Sequence, residues 1–280
     1  MSPRKARPVD LTPEATTSEA FLAVTDECMD HWRTNVPGVL GQGDIESLHQ
    51  LRVGVRRFRS ALSLFARPLD EPQLRWLNDE IRERALSFGV GRDLDVFLAG
   101  PHAALLTDDA LDTLRRRRER AYDTLTTVLA SKEWADVWLL ADRFRGAAPW
   151  GLDPDPPARV TASAILERRW RRVVRRGALL RELTPTERHR VRIQAKKLRY
   201  GAQFFAGLYP DAHESAAADF ADGLGELQDA LGLLNDAHTD AQILSSVGVT
   251  MAPTDEQVLL EQAITVHERV LSLRPFWTNT

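Results

Sequence analysis

The sequence predicts an all-α protein made of two similar halves, and two observations carry that prediction. First, residues 48–65 (LHQLRVGVRRFRSALSLF) and 188–205 (RHRVRIQAKKLRYGAQFF) share one pattern, with their histidines at positions 49 and 189, 140 residues apart. Second, apolar residues recur at helical spacing along the chain, and no segment alternates convincingly with the period of two expected of a half-buried strand. A repeat of this length is typical of two copies of one structural unit.

Length and composition restrict the class of protein. With 280 residues the chain can bury a sizeable core. Its net charge of −3 means that any basic site must arise from local patterning. The single cysteine, Cys28, excludes an internal disulfide and a cysteine-based zinc cluster. The basic N-terminus has no apolar run after it, and no stretch approaches about 18 uninterrupted apolar residues, which predicts a cytoplasmic protein without a membrane partner.

The first half is predicted to start with a disordered tail over residues 1–16, which are rich in proline and arginine. The proline and glycines of 37–43 indicate a loop, after which Asp44 is a plausible N-cap for the first repeated helix. Gly89 and Gly91 are expected to interrupt a later helix, with a short continuation beyond them. Helices are predicted over 19–35, 45–66, 71–88, 92–98, 109–132 and 133–145.

The second half follows a junction at 146–157, the stretch of the chain that is densest in proline and glycine. The two repeat halves are therefore placed at 17–150 and 158–277, within one domain that covers residues 17–280. Thr184 followed by Pro185 is a helix-start signal for the second repeated helix. Helices are predicted over 159–183, 185–209, 212–233 with a continuation at 235–238, and 254–273.

Each repeated helix carries a narrow basic stripe. On a helical wheel at about 100° per residue, the basic side chains of the first copy fall within roughly 80° of one another, opposite the apolar face. Neighbouring like charges repel by a few tenths of a kcal/mol per pair, and no acidic residue within either stretch offsets them. We therefore expect an anion to neutralise the stripes. They consist of His49, Arg52, Arg56 and Arg59 in the first copy and of His189, Arg192, Lys196 and Arg199 in the second.

Further arginines lie outside the stripes. Arg118 falls within the apolar face of the predicted helix 109–132, and burial of an unpaired arginine is costly. It should therefore meet an acidic partner, water or an anionic ligand. Arg172 and Arg176 lie beside the apolar face of the helix 159–183 and are secondary candidates for ligand binding.

Other site chemistries find less support in the sequence. A metal site is disfavoured because neither repeated helix offers a ligand three or four residues from its histidine. For an enzyme, Asp93, Asp95 and Asp236 are the notable carboxylates, and we expect them to cap helices or to pair with arginines. Nucleic acid is disfavoured because the stripes carry little aromatic surface for base stacking, Tyr200 being the exception. A phosphate polymer without bases requires only the charges and donors that the stripes supply.

The paired patterns H-x-x-R-V-x-x-R-R-x-R from His49 and H-x-x-R-I-x-x-K-K-x-R-Y from His189 resemble the two signature helices of the CHAD (conserved histidine α-helical) domain family. The similarity extends to the segments 92–95 and 235–238 and to the closing 275–277. This resemblance implies two four-helix bundles related by a pseudo-twofold axis, a basic central groove or pore, and binding of inorganic polyphosphate. It also implies association with polyphosphate granules.

The sequence-based interpretation is therefore a non-enzymatic polyphosphate-binding protein with no cofactor and no metal. The alternatives are an enzyme acting on polyphosphate or another phosphate-containing substrate, and a general polyanion or nucleic-acid binder. Because histidine gains charge near pH 6, affinity should rise as pH falls. The predicted polyphosphate-binding residues are His49, Arg52, Arg56, Arg57, Arg59, Arg118, Arg172, Arg176, His189, Arg192, Lys196, Lys197, Arg199 and Tyr200.

Overall fold

A computed structural model of the protein describes residues 2–148, 152–210, 215–250 and 255–278, and within these ranges the regular structure is entirely helical. The all-α prediction is thereby confirmed. Three short 3₁₀ turns complete the described structure, at Pro101–Leu105, Ala206–Leu208 and Phe276–Thr278. The α-helices are α1 (Thr17–Gln42), α2 (Ile45–Phe65), α3 (Pro72–Arg84), α4 (Ser87–Ala99), α5 (Asp108–Ala130), α6 (Lys132–Arg145), α7 (Ala158–Gly177), α8 (Pro185–Phe205), α9 (Ala216–Ser245) and α10 (Glu256–Ser272).

The chain divides into two compact units near the predicted junction, with Leu152 ending the main segment of unit 1 and Asp153 starting that of unit 2. Unit 1 also takes Met1–Arg7 and Ile243–Thr250, and unit 2 takes Pro8–Ala23 and Met251–Thr280. The first turns of α1 therefore belong to unit 2, and the last residues of α9 belong to unit 1. The two-fold relation between the halves and the four-helix count of each remain predictions.

The two repeated helices begin where the sequence places them. The side chain of Asp44 accepts a hydrogen bond from the backbone N–H of Ser47 at 2.8 Å, which caps the start of α2. At α8, Thr184 and Glu187 form a reciprocal capping box, and Pro185 occupies the first turn. Local capping chemistry thus determined both helix starts.

Glycine and proline proved to be poor guides to where helices end. α1 continues through Pro37 and Gly38 to Gln42, so the loop predicted at 37–43 was wrong for most of its length. α9 runs unbroken to Ser245, beyond the predicted continuation at 235–238. The helix that follows α2 breaks not at Gly89 and Gly91 but at residues 85–86, between α3 and α4.

Packing explains why these glycines are accommodated inside helices. A Cβ atom added to Gly38 would overlap Ser47 at the start of α2. One added to Gly91 would lie only 3.4 Å from the ring of Tyr122. Gly38 therefore permits the close approach of α1 and α2, whereas a Cβ at Gly91 would make an ordinary van der Waals contact, and neither glycine breaks its helix.

The N-terminal segment is packed, in contrast to the disordered tail predicted for residues 1–16. Arg4 forms ion pairs with Glu27 and Asp30 of α1, and its backbone N–H donates to the Asn35 side chain at 3.0 Å. Further along, Val9 and Leu11 are buried. Composition predicted disorder because the few apolar residues of this segment are widely spaced. The residues that stabilise it lie far away in sequence, so the local pattern could not indicate them.

Each unit has its own aromatic core. In unit 1 the centre of the fully buried Trp32 ring lies 3.6 Å from that of Trp138 and 4.9 Å from that of Trp134. In unit 2 the centre of the Phe220 ring lies 4.9 Å from that of Trp277 and 5.4 Å from that of Trp170. The centre of the Trp32 ring also lies 6.0 Å from that of Phe58 on α2, so the core of unit 1 holds the helix that carries the first stripe. Among the described helices, none combines the length and apolar character needed to cross a bilayer.

Candidate functional site

The basic stripe of α2 lies against α3 and α4, and Arg52 is its most constrained member. The Arg52 Nη1 donates hydrogen bonds of 2.7 Å to the backbone carbonyls of Phe88 and Gly89 in the first turn of α4. Asp93 lies 3.7 Å from the same nitrogen. Burial lowers the pKa of Arg52 to about 10, so the guanidinium remains charged at neutral pH.

The remaining members of this stripe are half-buried. Arg59 donates from Nε to the amide oxygen of Asn78 at 3.0 Å. Within the described part of the chain, the buried Nε of Arg56 has no hydrogen-bond acceptor. The pKa of His49 is lowered by its burial and by the nearby charge of Arg92. We call His49, Arg52, Arg56 and Arg59 the unit 1 basic face.

The pKa of His49 leads to a test of pH dependence. Burial, followed by Arg92, Arg56 and Arg52, lowers this pKa below its ordinary value of 6.5, and only Glu46 opposes the shift. Since a bound phosphate favours the protonated ring, affinity for long-chain polyphosphate should rise as pH falls through the pKa of the bound state. The rise should level off only below the lower pKa of the free protein.

Titration between about pH 7.5 and 5.5 measures this effect, and His49→Gln should give a shallower profile than the unaltered protein. His102→Gln, in the short turn at Pro101–Leu105, is the matched control and should leave the profile unchanged. A profile that is equally steep in His49→Gln would exclude a role for His49 in binding.

The stripe of α8 lies against α9 in the same manner. The Arg192 Nε donates to the Gln228 carbonyl at 3.3 Å, and a Cβ added to Gly232 would approach the Arg192 Nη2 to 3.4 Å. A ring nitrogen of the exposed His189, Nδ1, lies 2.9 Å from the amide oxygen of Asn235. We call His189, Arg192, Lys196 and Arg199 the unit 2 basic face.

The two faces share one electrostatic property. The hydrogen-bond acceptors of Arg52, Arg59 and Arg192 are neutral oxygens, namely backbone carbonyls and an asparagine amide, which orient a cation without cancelling its charge. Asp93 is the acidic exception, and it lies 3.7 Å from Arg52 with its own side chain half exposed. Each face thus holds positive charge in a fixed arrangement on a surface that solvent reaches, which suits an oxyanion.

The structure separates several predicted binding residues from the two faces. Arg57 is only 5% exposed, and its Nη2 donates to the Arg7 carbonyl at 3.4 Å, so it belongs to the interior of unit 1. Tyr200 is 8% exposed and stacks on Phe204, which leaves little of its ring for a ligand. Lys197 is half-buried. Proximity in sequence to the stripe did not determine which way the Arg57 and Tyr200 side chains pack, and a binding role for these two residues stays a prediction.

Arg118 meets the acidic partner that its inward position predicted. Its Nε donates to the Asp95 carboxylate at 2.6 Å, and the Tyr122 hydroxyl donates to the other carboxylate oxygen at 2.7 Å. The guanidinium also lies 4.5 Å from the centre of the Tyr122 ring. Burial beside this carboxylate raises the pKa of Tyr122. Asp95 therefore acts as a structural clamp between α4 and α5, and much of the charge of Arg118 is already neutralised.

This clamp predicts a loss of stability on substitution. Asp95→Asn should lower the free energy of unfolding by about 1–3 kcal/mol, because it removes a charged acceptor from two donors at a side chain that is 1% exposed. Urea denaturation with an unchanged m-value measures the loss. Asp112→Asn breaks the exposed pair with Arg115 and should cost less than about 1 kcal/mol. Equal losses in the two variants would contradict the clamp.

Arg172 and Arg176 lie apart from the unit 2 basic face, on the other side of α8. With Arg175 of α7 and Arg190 of α8 they border a cavity of about 240 Å³. Sequence reasoning missed Arg175, Arg190 and also Arg92, whose charge acts on His49. The repeat of segment 92–95 in the second half could have drawn attention to Arg92. The pattern of a single helix could not show that Arg190 of α8 lies beside the arginines of α7.

The described residues contain no cluster of three or more histidine, cysteine or acidic side chains able to hold a metal ion. Of the three repeat-related carboxylates, Asp95 is clamped, Asp93 lies near Arg52, and Asp236 is exposed.

Comparison with known proteins gives concordant results. The sequence matches the CHAD domain over residues 23–245. Among solved structures, it is similar to the crystal structure of the CHAD domain from the plant Ricinus communis. That similarity has a TM-score of 0.77 at 26% sequence identity and covers 97% of this chain and 91% of the plant chain. No curated protein matches the sequence.

Proposed function

The chain belongs to the CHAD domain family, and on that premise we propose that it binds inorganic polyphosphate through its two basic faces. The observation that supports the proposal is the way these cations are held. Arg52, Arg59 and Arg192 are oriented by neutral oxygens, so that their positive charge is fixed in place yet available to an anion. A phosphate chain presents one oxyanion after another and can engage such an array without base recognition.

The affinity would come from many modest contacts along one polymer. A hydrogen bond to a charged group is worth about 1.5–3 kcal/mol when desolvated, and much less at an exposed position. Because the residues of both faces are half-buried or exposed, each contact alone is weak. Contacts on one polymer reinforce one another through effective concentration, so long chains should bind more tightly than short ones.

We further propose that binding proceeds without turnover and directs the protein to polyphosphate granules. Asp95 is occupied by Arg118 and Tyr122, which makes it unsuited to act as a general base. Polyphosphate hydrolysis that disappears in Asp93→Asn or Asp236→Asn would overturn the non-enzymatic part of this proposal.

Parallel titrations with different ligands test the main proposal. Long-chain polyphosphate, single-stranded nucleic acid of equal charge and a divalent metal ion are added separately at several salt concentrations. We expect polyphosphate to bind most tightly and its affinity to fall with salt, as for other polyanions. Equal affinity for the nucleic acid would replace the proposal with a general polyanion binder. A pull-down with and without the polymer would show whether the binding of a protein partner depends on polyphosphate.

A further inference from the structure

The arginine-lined cavity of unit 2 is a feature that the basic faces do not explain. It lies between α7, which supplies Arg172, Arg175 and Arg176, and α8, which supplies Arg190. On the wheel of α8, Arg190 is about 100° from His189 and turned away from the stripe. The remaining lining residues are Leu183, Glu187, Val191 and Gln194.

The charge in this cavity is unbalanced. Within the described ranges, none of the four arginines has a hydrogen bond or an ion pair. The one carboxylate, Glu187, is engaged with the Thr184 backbone N–H at 3.0 Å and with its hydroxyl at 2.9 Å. Those bonds to Thr184, with smaller contributions from Arg176 and Arg190, lower the pKa of Glu187.

A fifth arginine adds charge beneath the cavity. Arg169 is 6% exposed, and its Nη1 donates to Gln194, a lining residue, at 3.1 Å. Its burial, together with the charges of Arg172 and Arg168, lowers its pKa to about 10, so it remains protonated at neutral pH. Leu183 and Val191 exclude water from part of the lining, which strengthens the field felt by an anion there.

We propose that this cavity is a second site for a short phosphate oligomer, separate from the unit 2 basic face. The three arginines of α7 span one helical turn, about 6 Å of rise, which is the length of chain that a few linked phosphates cover. One orthophosphate carries at most two negative charges near neutral pH, too few to match four guanidinium groups and one carboxylate. The inference rests on the proposed polyphosphate function and gives the protein a further contact with the same polymer.

Arginine footprinting tests the site residue by residue. The full chain is treated with phenylglyoxal, with and without tripolyphosphate, and modified peptides are quantified by mass spectrometry. We expect Arg172, Arg175, Arg176 and Arg190 to be protected, and to stay protected in the variant Lys196→Gln/Arg199→Gln. Arg175→Gln/Arg190→Gln should remain as stable as the unaltered protein and bind one tripolyphosphate fewer per chain.

Each other outcome has a distinct meaning. Protection of the two basic faces without protection of the cavity would overturn this inference and leave the proposed function intact. If neither tripolyphosphate nor long-chain polyphosphate protects any arginine, both this inference and the proposed function fail. Equal protection by orthophosphate at the same concentration would also overturn the inference, because the cavity would then be a site for single anions.

Discussion

Replacing Lys196 and Arg199 by glutamine should lower the affinity of the protein for long-chain polyphosphate at least tenfold. Each lost contact removes roughly 1 kcal/mol at a half-buried position, and a factor of ten corresponds to about 1.4 kcal/mol. Both side chains are half-buried on α8, and the guanidinium of Arg199 lies against Gly225 of α9. The substitutions leave Arg192, which is anchored to a backbone carbonyl, in place.

The matching change in unit 1, Arg56→Gln with Arg59→Gln, should have an effect of similar size. In both variants the dependence of affinity on salt should become shallower, because fewer counterions are exchanged. Arg116→Gln/Arg120→Gln on α5 removes the same charge from exposed positions and should change affinity less than about twofold. If this control weakened binding as much as the variants of the basic faces, net charge alone would explain the interaction.

Gly177→Ala should destabilise the protein by about 2 kcal/mol, although alanine is intrinsically the better helix former. Gly177 is the last residue of α7, and a Cβ atom there would overlap the imidazole of His267 on α10. His267 is 2% exposed, and its Nε2 lies 3.3 Å from the Val173 carbonyl, so the ring has little room to move. Overpacking of this kind costs typically 1–3 kcal/mol and outweighs the propensity gain of about 1 kcal/mol.

Chemical denaturation of Gly177→Ala measures the loss, and a second variant identifies its cause. His267→Ala removes the ring that the new methyl group would strike. Gly177→Ala should therefore be nearly neutral, or slightly stabilising, when it is made in the His267→Ala background. Equal losses in the two backgrounds would show that the overlap with His267 is not responsible.

The patterned parts of the chain were predictable because their causes are local. The helical period, the Asp44 cap and the Thr184 capping box are all encoded within a few neighbouring residues, so α2 and α8 begin where expected. The resemblance to the CHAD family rested on the same two helices, and the family match confirms it. The ends of α1 and the break between α3 and α4 were not predictable, because glycines that permit close packing look the same in sequence as glycines that end helices.

The sequence by itself determined which residues share a helical face, and hence that two basic stripes exist. Only the tertiary structure decided which arginines keep their charge available. In the folded protein Arg57 is buried in the interior, and Arg118 forms an ion pair with Asp95. Arg52 instead donates hydrogen bonds to two neutral carbonyl oxygens, which do not cancel its charge. The tertiary structure also joined Arg190 to the arginines of α7. Helical periodicity determines the direction in which a side chain points from the axis of its helix. The free-energy cost of burying that side chain depends on the groups that the neighbouring helix places next to it.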